Sequence, residues 1–273
     1  DARHVARALR RLELLVVQDI FPTETAGLAH IVLPAAAYAE KEGTCTNTER
    51  RVQLSRQALP PREGTLPDWK IICEVSTRAG YLMPYETPSE ILAEINRVTP
   101  AYGGITRARL TDSWGLCWPC PDEDHPGTPF LHRDRFPRGP GLFDPREHVA
   151  TAEPTDEEYP FILTTGRVGF QFHTGTMSRR VAALEREAPR AQLEMNPEDA
   201  RRLRVRDGST VAVESRRGEV RLPVFLTPEV PEGVVFGTFH YRENNINELT
   251  ADALDPVAKI PELKSCAVSV RRV

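Results

Sequence analysis

Two stretches of the chain concentrate side chains that could do chemistry. The run Thr164-Thr165-Gly166-Arg167 leaves an apolar segment, Phe161-Ile162-Leu163, and is followed by His173-Thr174-Gly175-Thr176-Met177-Ser178-Arg179-Arg180. Hydroxyls, an imidazole, guanidinium groups and glycine-opened backbone amides are what a buried pyrophosphate needs: many donors, close backbone approach and positive charge. The same residues suit a plainer arrangement, a strand followed by a Thr/Ser-capped helix start with solvated arginines. A second cluster, His240-Tyr241-Arg242-Glu243-Asn244-Asn245-Ile246-Asn247-Glu248-Leu249, contains three asparagines. Their amides either read a heterocycle by hydrogen bonds or satisfy a turn, and taken alone the turn explains them.

Other constellations are thinner. Cys117-Trp118-Pro119-Cys120, with His125 and His132 downstream, has the spacing of half a zinc site or of a redox dithiol. The downstream histidines lack the usual zinc spacing and no βαβ pattern surrounds the thiols, so a packed Pro-rich loop is the favoured reading. No Gly-x-Ser-x-Gly elbow and no Gly-rich phosphate loop of Walker or dinucleotide type occurs. Arg201, Arg202, Arg204 and Arg206 lie beside Glu198, Asp199 and Asp207, a pattern that predicts a solvated, salt-bridged helix face.

These residues need elements to hold them. Leu14-Leu15-Val16-Val17 reads as a buried strand, Glu24 to Ala29 as a helix and Ile31-Val32-Leu33 as a second strand, the pattern of parallel α/β units. Asp68 stands near the N-cap of a helix starting at Trp69, and Pro88-Ser89-Glu90 opens another with Ile91, Leu92, Ile95 and Val98 on one face. Residues 99–158 are dense in Pro and Gly and read as a long connection. Beyond it, Asn196-Pro197 caps a short helix, Ser209–Glu214 and Glu219–Leu226 form a hairpin around Arg216-Arg217-Gly218, and Val234-Val235-Phe236 and Cys266–Val270 add strands. Short strands and frequent turns point to a small barrel.

Composition narrows the classes of function. A net charge of −4 from 35 basic and 39 acidic side chains gives no field that would hold the chain on nucleic acid or an anionic membrane. No run approaches the roughly 20 apolar residues of a membrane span. Five irregularly spaced cysteines suit a reducing compartment, so a cytoplasmic address is expected.

Several motifs together resemble one family. Val17-Gln18-Asp19-Ile20-Phe21 with Thr23-Glu24-Thr25-Ala26, His30-Ile31-Val32-Leu33-Pro34, Glu40-Lys41-Glu42-Gly43-Thr44 and Asn47 to Gln53 are similar to the last pterin-binding α/β segment of formate dehydrogenase large subunits. The resemblance continues through Asp68-Trp69, Trp118-Pro119-Cys120-Pro121 and Asp124 to Thr128, and ends with Leu254 to Glu262 and Cys266-Ala267-Val268.

That likeness implies an α/β segment, the end of a Rossmann-like molybdopterin oxidoreductase domain (1–98), the Pro/Gly-rich connection (99–158), and a mostly-β double-psi β-barrel that binds the molybdopterin dinucleotide (159–273). It implies that Gln18 and Asp68 face a guanine, that Thr165, Arg167, Gln171, His173, Thr176 and Ser178 line pterin and pyrophosphate, and that Asn247 and Lys259 complete the second side of a bis-molybdopterin guanine dinucleotide carrying Mo or W. The family's [4Fe-4S] cysteines, its Cys or selenocysteine metal ligand and the adjacent His and Arg are absent from residues 1–273, and Cys117 stands where the family has Gln. The activity implied is oxidation of formate to carbon dioxide, in partnership with an N-terminal catalytic part of the large subunit and with electron-transfer subunits. Alternatives are another molybdopterin oxidoreductase subunit, of nitrate reductase or respiratory complex I type, and a non-enzymatic double-psi barrel module.

Overall fold

The computed structural model describes residues 1–273, which form two compact units, Leu14–Pro145 and a second made of Asp1–Glu13 with Arg146–Val273. The chain opens with α1 (Ala2–Leu9), capped by the Asp1 carboxylate, which accepts from the His4 N–H (2.9 Å), and tied to the second unit by Arg3, which donates to Glu248 (2.7 Å).

The first unit starts with β1 (Val16–Asp19) and β2 (Ile31–Pro34), paired in parallel from Val16↔Ile31 to Asp19↔Pro34. Between them the expected helix is only a single 3-10 turn at Ala26–Leu28, started by Thr23, whose hydroxyl accepts from the Ala26 N–H (3.2 Å) and whose carbonyl accepts from the Gly27 N–H (3.0 Å). A hairpin, β3 (Gly43–Thr46) and β4 (Arg51–Ser55), turns on Asn47, whose side-chain oxygen accepts from the Glu49 and Arg51 N–H groups (both 3.0 Å). Helices α2 (Asp68–Arg78), α3 (Pro88–Val98) and α4 (Arg107–Thr111) follow, and β5 (Leu116–Cys117) pairs antiparallel with β4. Asp68 is the first residue of α2, with Pro67 at the cap, while α3 is capped by Thr87 with Pro88 at its first position.

Within the Pro/Gly-rich stretch, residues 100–129 pack into this unit: Ile105, Leu110, Leu116 and Cys120 join Val52 and Leu92 in its core. Irregular backbone buried this way must find other donors for its carbonyls, and two arginines supply them. Arg50 donates to the carbonyls of Trp118, Thr128 (3.1 Å) and Pro129 (3.1 Å) and lies over the Trp118 ring. Arg109 donates to the carbonyls of Gly104 (2.6 Å), Asp122 (3.3 Å) and His125 (2.8 Å). The Cys120 thiol contacts the same Arg109 guanidinium (3.4 Å).

The second unit is a closed six-stranded barrel in the order β10-β6-β11-β8-β9-β7. Its elements are β6 (Phe161–Gly166), α5 (Ala182–Glu187), β7 (Leu193–Met195), α6 (Pro197–Leu203), β8 (Thr210–Ser215), β9 (Gly218–Leu226), β10 (Val234–Thr238) and β11 (Cys266–Arg272). Two of the pairings, β6 with β10 and β7 with β9, are parallel and the rest antiparallel. Alternation along β9 sends Val220, Leu222 and Val224 inward to meet Leu163, Leu193, Val213, Val235 and Val268. Each fully buried Leu or Val contributes about 1.5–3 kcal/mol relative to exposure. Asp199 of α6, nearly fully buried, accepts from the Gly233 N–H (2.7 Å) and pairs with Arg202 (3.0 Å), so the loop entering β10 is held to the helix.

Leu193, with no exposed surface, is the most direct test of this core. Leu193→Ala is expected to cost about 2–5 kcal/mol through lost contacts and a residual cavity, read as a lowered urea midpoint. Phe225→Ala, on the outer face of β9 with 44% of its surface exposed, is expected to cost much less.

Candidate cofactor-binding sites

In the first unit, the C-terminal ends of the parallel strands meet the start of α2. Beyond β2, Ala35 bridges Leu66 in parallel, so Gln18, near the end of β1, faces Asp68 at the first turn of α2. Crevices outside the carboxyl ends of parallel strands are where α/β sheets bind ligands. Gln18 Nε2 donates to one Asp68 carboxylate oxygen (2.7 Å), and the Lys41 ammonium is paired with the other. Partial burial disfavours the Asp68 charge, but the hydrogen bonds from Lys41 and Gln18 outweigh it and hold the carboxyl below its ordinary range. Lys41, inside the Glu40 to Thr44 motif, is a member of this site that the sequence alone does not single out, because its partner Asp68 lies 27 residues away.

In the second unit, the register Thr238↔Gly166 ends β6 and β10 at the same rim of the barrel. The loop 167–178 and the segment 239–249 therefore meet there. His240, 1% exposed, joins them: its Nε2 accepts from the Val168 N–H (3.0 Å) and its Nδ1–H donates to the His173 carbonyl. Both bonds require the neutral ring protonated on Nδ1. Burial, reinforced by the nearby Arg167 and Arg179 charges, pushes the His240 pKa down, although the His173 carbonyl opposes this.

Gln171 and Ser178 form the inner frame of that loop. Gln171 Nε2 donates to Glu185 (3.0 Å) and the Ala188 carbonyl (3.3 Å), its Oε1 accepts from Ser178 Oγ (2.7 Å), and Ser178 Oγ accepts from the Phe172 N–H (2.9 Å). Thr165 donates to the Leu263 carbonyl (2.7 Å). Gly175, at φ +73°, adopts a backbone that L side chains rarely take, and a Cβ there would press on the Arg179 side chain (2.7 Å) and the His240 carbonyl (3.0 Å).

Outward from this frame stand Arg167 and His173, both exposed, and the half-buried Thr176. Arg167 donates to His173 Nδ1 (3.0 Å), lies over the rings of Phe172 and Phe239, and pairs with no carboxylate. The Thr176 hydroxyl is 2.9 Å from that of Thr174. Arg179 lies over Tyr241 and is clamped by Glu243 and Glu185, which raise its pKa and, at Glu243, depress the carboxylate's. Asn247 and Lys259 share no hydrogen bond with these residues. The Asn247 Oδ1 is buried without a partner, and Lys259, exposed at φ +57°, donates to the Pro256 carbonyl (2.9 Å).

A cavity of about 360 Å³ opens beside this rim, lined among others by Val168, Gly169, Arg190, Glu194, Thr238 and Tyr241. The Thr238 hydroxyl, in a residue only 5% exposed, has no partner in the protein. An orphaned hydroxyl, an unpaired guanidinium and a loop opened by glycine fit a polyanionic, hydrogen-bonding cofactor. By contrast, no group of three or more His, Cys, Asp or Glu side chains is placed to hold a metal ion.

Two family models match the chain: the molybdopterin oxidoreductase model over residues 1–78, and the molydopterin dinucleotide binding domain over residues 161–267. Residues 1–78 and 161–267 thus match two domain types that hold a molybdopterin cofactor. The chain is 50% identical to the F420-dependent formate dehydrogenase subunit alpha of Methanocaldococcus jannaschii, over all of this chain and 41% of that protein. It is 35% identical to the assimilatory nitrate reductase catalytic subunit of Bacillus subtilis, over 99% of this chain and 40% of that protein. The chain thus spans about two-fifths of the length of these curated relatives. Among solved structures, acetylene hydratase from Pelobacter acetylenicus superposes with a TM-score of 0.75 at 19% identity, over 99% of this chain and 42% of that one, a likeness of fold. No helix is long and apolar enough to cross a membrane.

The His240 latch generates a pH prediction. Its folded pKa lies below the ordinary value of about 6.5, so its contribution to stability is complete above that value and is lost as pH falls through the lower folded pKa. The melting temperature should fall between pH 7 and pH 5 less steeply in His240→Gln than in the wild type; equal slopes would remove His240 as the cause. His240→Leu leaves the Val168 N–H and the His173 carbonyl unpaired and should cost about 1–3 kcal/mol for each group.

Proposed function

We propose that the chain is the cofactor-holding part of a formate dehydrogenase large subunit and that it works only together with an N-terminal catalytic part. The observation that carries the reading is the 50% identity to a formate dehydrogenase alpha subunit along the whole chain, against 35% for the nitrate reductase. Residues 1–98 are taken as the end of the Rossmann-like pterin oxidoreductase domain, 99–158 as the connection and 159–273 as the dinucleotide-binding domain. The barrel is taken as double-psi, a reading supported by its two parallel pairs set among antiparallel ones.

The cofactor is a bis-molybdopterin guanine dinucleotide carrying Mo or W. When bound, it supplies the two-electron acceptor that turns formate into carbon dioxide and a proton, and a [4Fe-4S] relay in the partner polypeptides passes the electrons on. This chain's own work is binding and orientation. Asp68, held ionised by Lys41 and Gln18, keeps lone pairs to accept from the ring N–H and exocyclic amine of a guanine. In the barrel, Arg167, His173 and Thr176 offer donors to pyrophosphate and pterin oxygens. Thr165, Gln171 and Ser178 hold those donors in place through the loop, and the buried Asn247 amide with Lys259 serves a further edge of the cofactor. The five free cysteines fit a reducing, cytoplasmic setting.

Denaturing the assembled enzyme should release a guanine-containing pterin, and the metal-loaded 1–273 chain alone should not oxidise formate; activity of the chain alone would sink the assignment. Asp68→Asn replaces one acceptor oxygen with a donor and should lower pterin content of the purified complex, with a loss of affinity of about 2 kcal/mol. Unchanged pterin content in that variant would remove the guanine role of Asp68.

A further inference from the structure

The spacing of Arg201, Arg202, Arg204 and Arg206 predicts one salt-bridged face, and the structure divides it. Arg201 is paired with Glu198, and Arg202 with Asp199 and Glu232. Arg204 and Arg206 turn instead towards Arg272, at the end of β11, and with Arg201, Val205 and Ser209 they line a cavity of about 470 Å³. No hydrogen bond or ion pair holds the guanidinium group of Arg204, Arg206 or Arg272. The carboxylate nearest in sequence, Asp207, accepts from the Leu226 N–H (2.9 Å) and so serves the β8–β9 hairpin.

Three features set this cavity apart from an ordinary solvated surface. The guanidinium groups of Arg204, Arg206 and Arg272, all exposed and none paired with a carboxylate, come from separate segments, the end of α6, the turn after it and the end of β11, so that the barrel gathers three positive charges at one cavity. Arg204 occupies the left-handed C-cap of α6 (φ 56°, ψ 39°), a position that favours glycine. The strand directions also place it. β11 runs antiparallel to β6, with Val268 opposite Phe161, so Arg272 extends past the start of β6, at the opposite rim from Gly166 and the 167–178 loop.

Forked guanidinium donors match phosphate oxygens two at a time. The lining holds one apolar side chain, Val205, and no aromatic ring on which a base could stack. We propose that this arginine cavity binds linked phosphate groups, as free pyrophosphate or as the phosphate tail of a nucleotide. The inference stands apart from the formate reading, since it rests on neither the pterin loop nor the guanine-facing residues.

The test is calorimetric titration of the purified, cofactor-loaded enzyme with inorganic pyrophosphate in magnesium-free buffer, with ATP in a parallel arm. Binding should weaken steeply with added salt, and Arg206→Gln and Arg272→Gln should each weaken it about tenfold while formate oxidation stays unchanged. Arg204→Gly, which suits the left-handed backbone and removes the guanidinium with its stem, should weaken it similarly without lowering the melting temperature. Pyrophosphate and ATP binding equally tightly marks the shared phosphate chemistry; ATP alone binding tightly marks a nucleotide. No saturable binding of either, or binding that all three variants leave intact, overturns the proposal. So does a result in which the variants change only the affinity of a partner subunit, which would make the cavity a seat for an acidic polypeptide.

Discussion

Parallel pairing of β6 with β10 is the constraint on which the rest of the second unit depends. In an antiparallel pair the segment leaving one strand lies beside the segment entering the other; here both exits share a rim, because Thr238 lies opposite Gly166. That placement lets His240, two residues past β10, reach the backbone of the 167–178 loop on both ring nitrogens. With the loop's backbone anchored, Gln171 and Ser178 fill its interior and Arg167 and His173 are left facing outward.

The first unit meets a different demand. Its 100–129 segment is too rich in Pro and Gly for regular ladders, yet part of it is buried, so its carbonyls need donors that a sheet would otherwise provide. Arg50 and Arg109 each present several N–H groups in one plane, and each collects three carbonyls. In this unit those guanidinium groups act as structural cross-links, in contrast to Arg167, which the barrel leaves without a carboxylate partner.

Charge in the two candidate sites is arranged by the same logic of paired and unpaired groups. Asp68 is kept ionised by an ammonium and an amide, which orients a carboxylate ready to accept from further donors. On the barrel rim Arg179 is committed to Glu185 and Glu243 and braces the loop, whereas Arg167 stays available. Whether an arginine is an anchor or a potential ligand donor thus depends on which carboxylates the fold brings to it.

What the sequence by itself determined is local. The Asn196-Pro197 cap of α6, the Pro88 start of α3, the hairpin spanning 209–226 and the strand before Thr164 were all legible, because caps, turns and period-two alternation are decided by neighbours a few residues apart. Motif density also disclosed a resemblance to one family and a donor-rich loop. The tertiary structure alone decided which of those donors face outward and which brace the loop, because their partners are remote in the chain: Gln18 and Asp68 are 50 residues apart, and His240 lies 72 from Val168. It also decided that His240 serves the loop rather than a turn of its own, and that Arg204 and Arg206 leave the salt-bridged face to join Arg272. Those outcomes follow from strand direction and barrel closure, which no local pattern encodes.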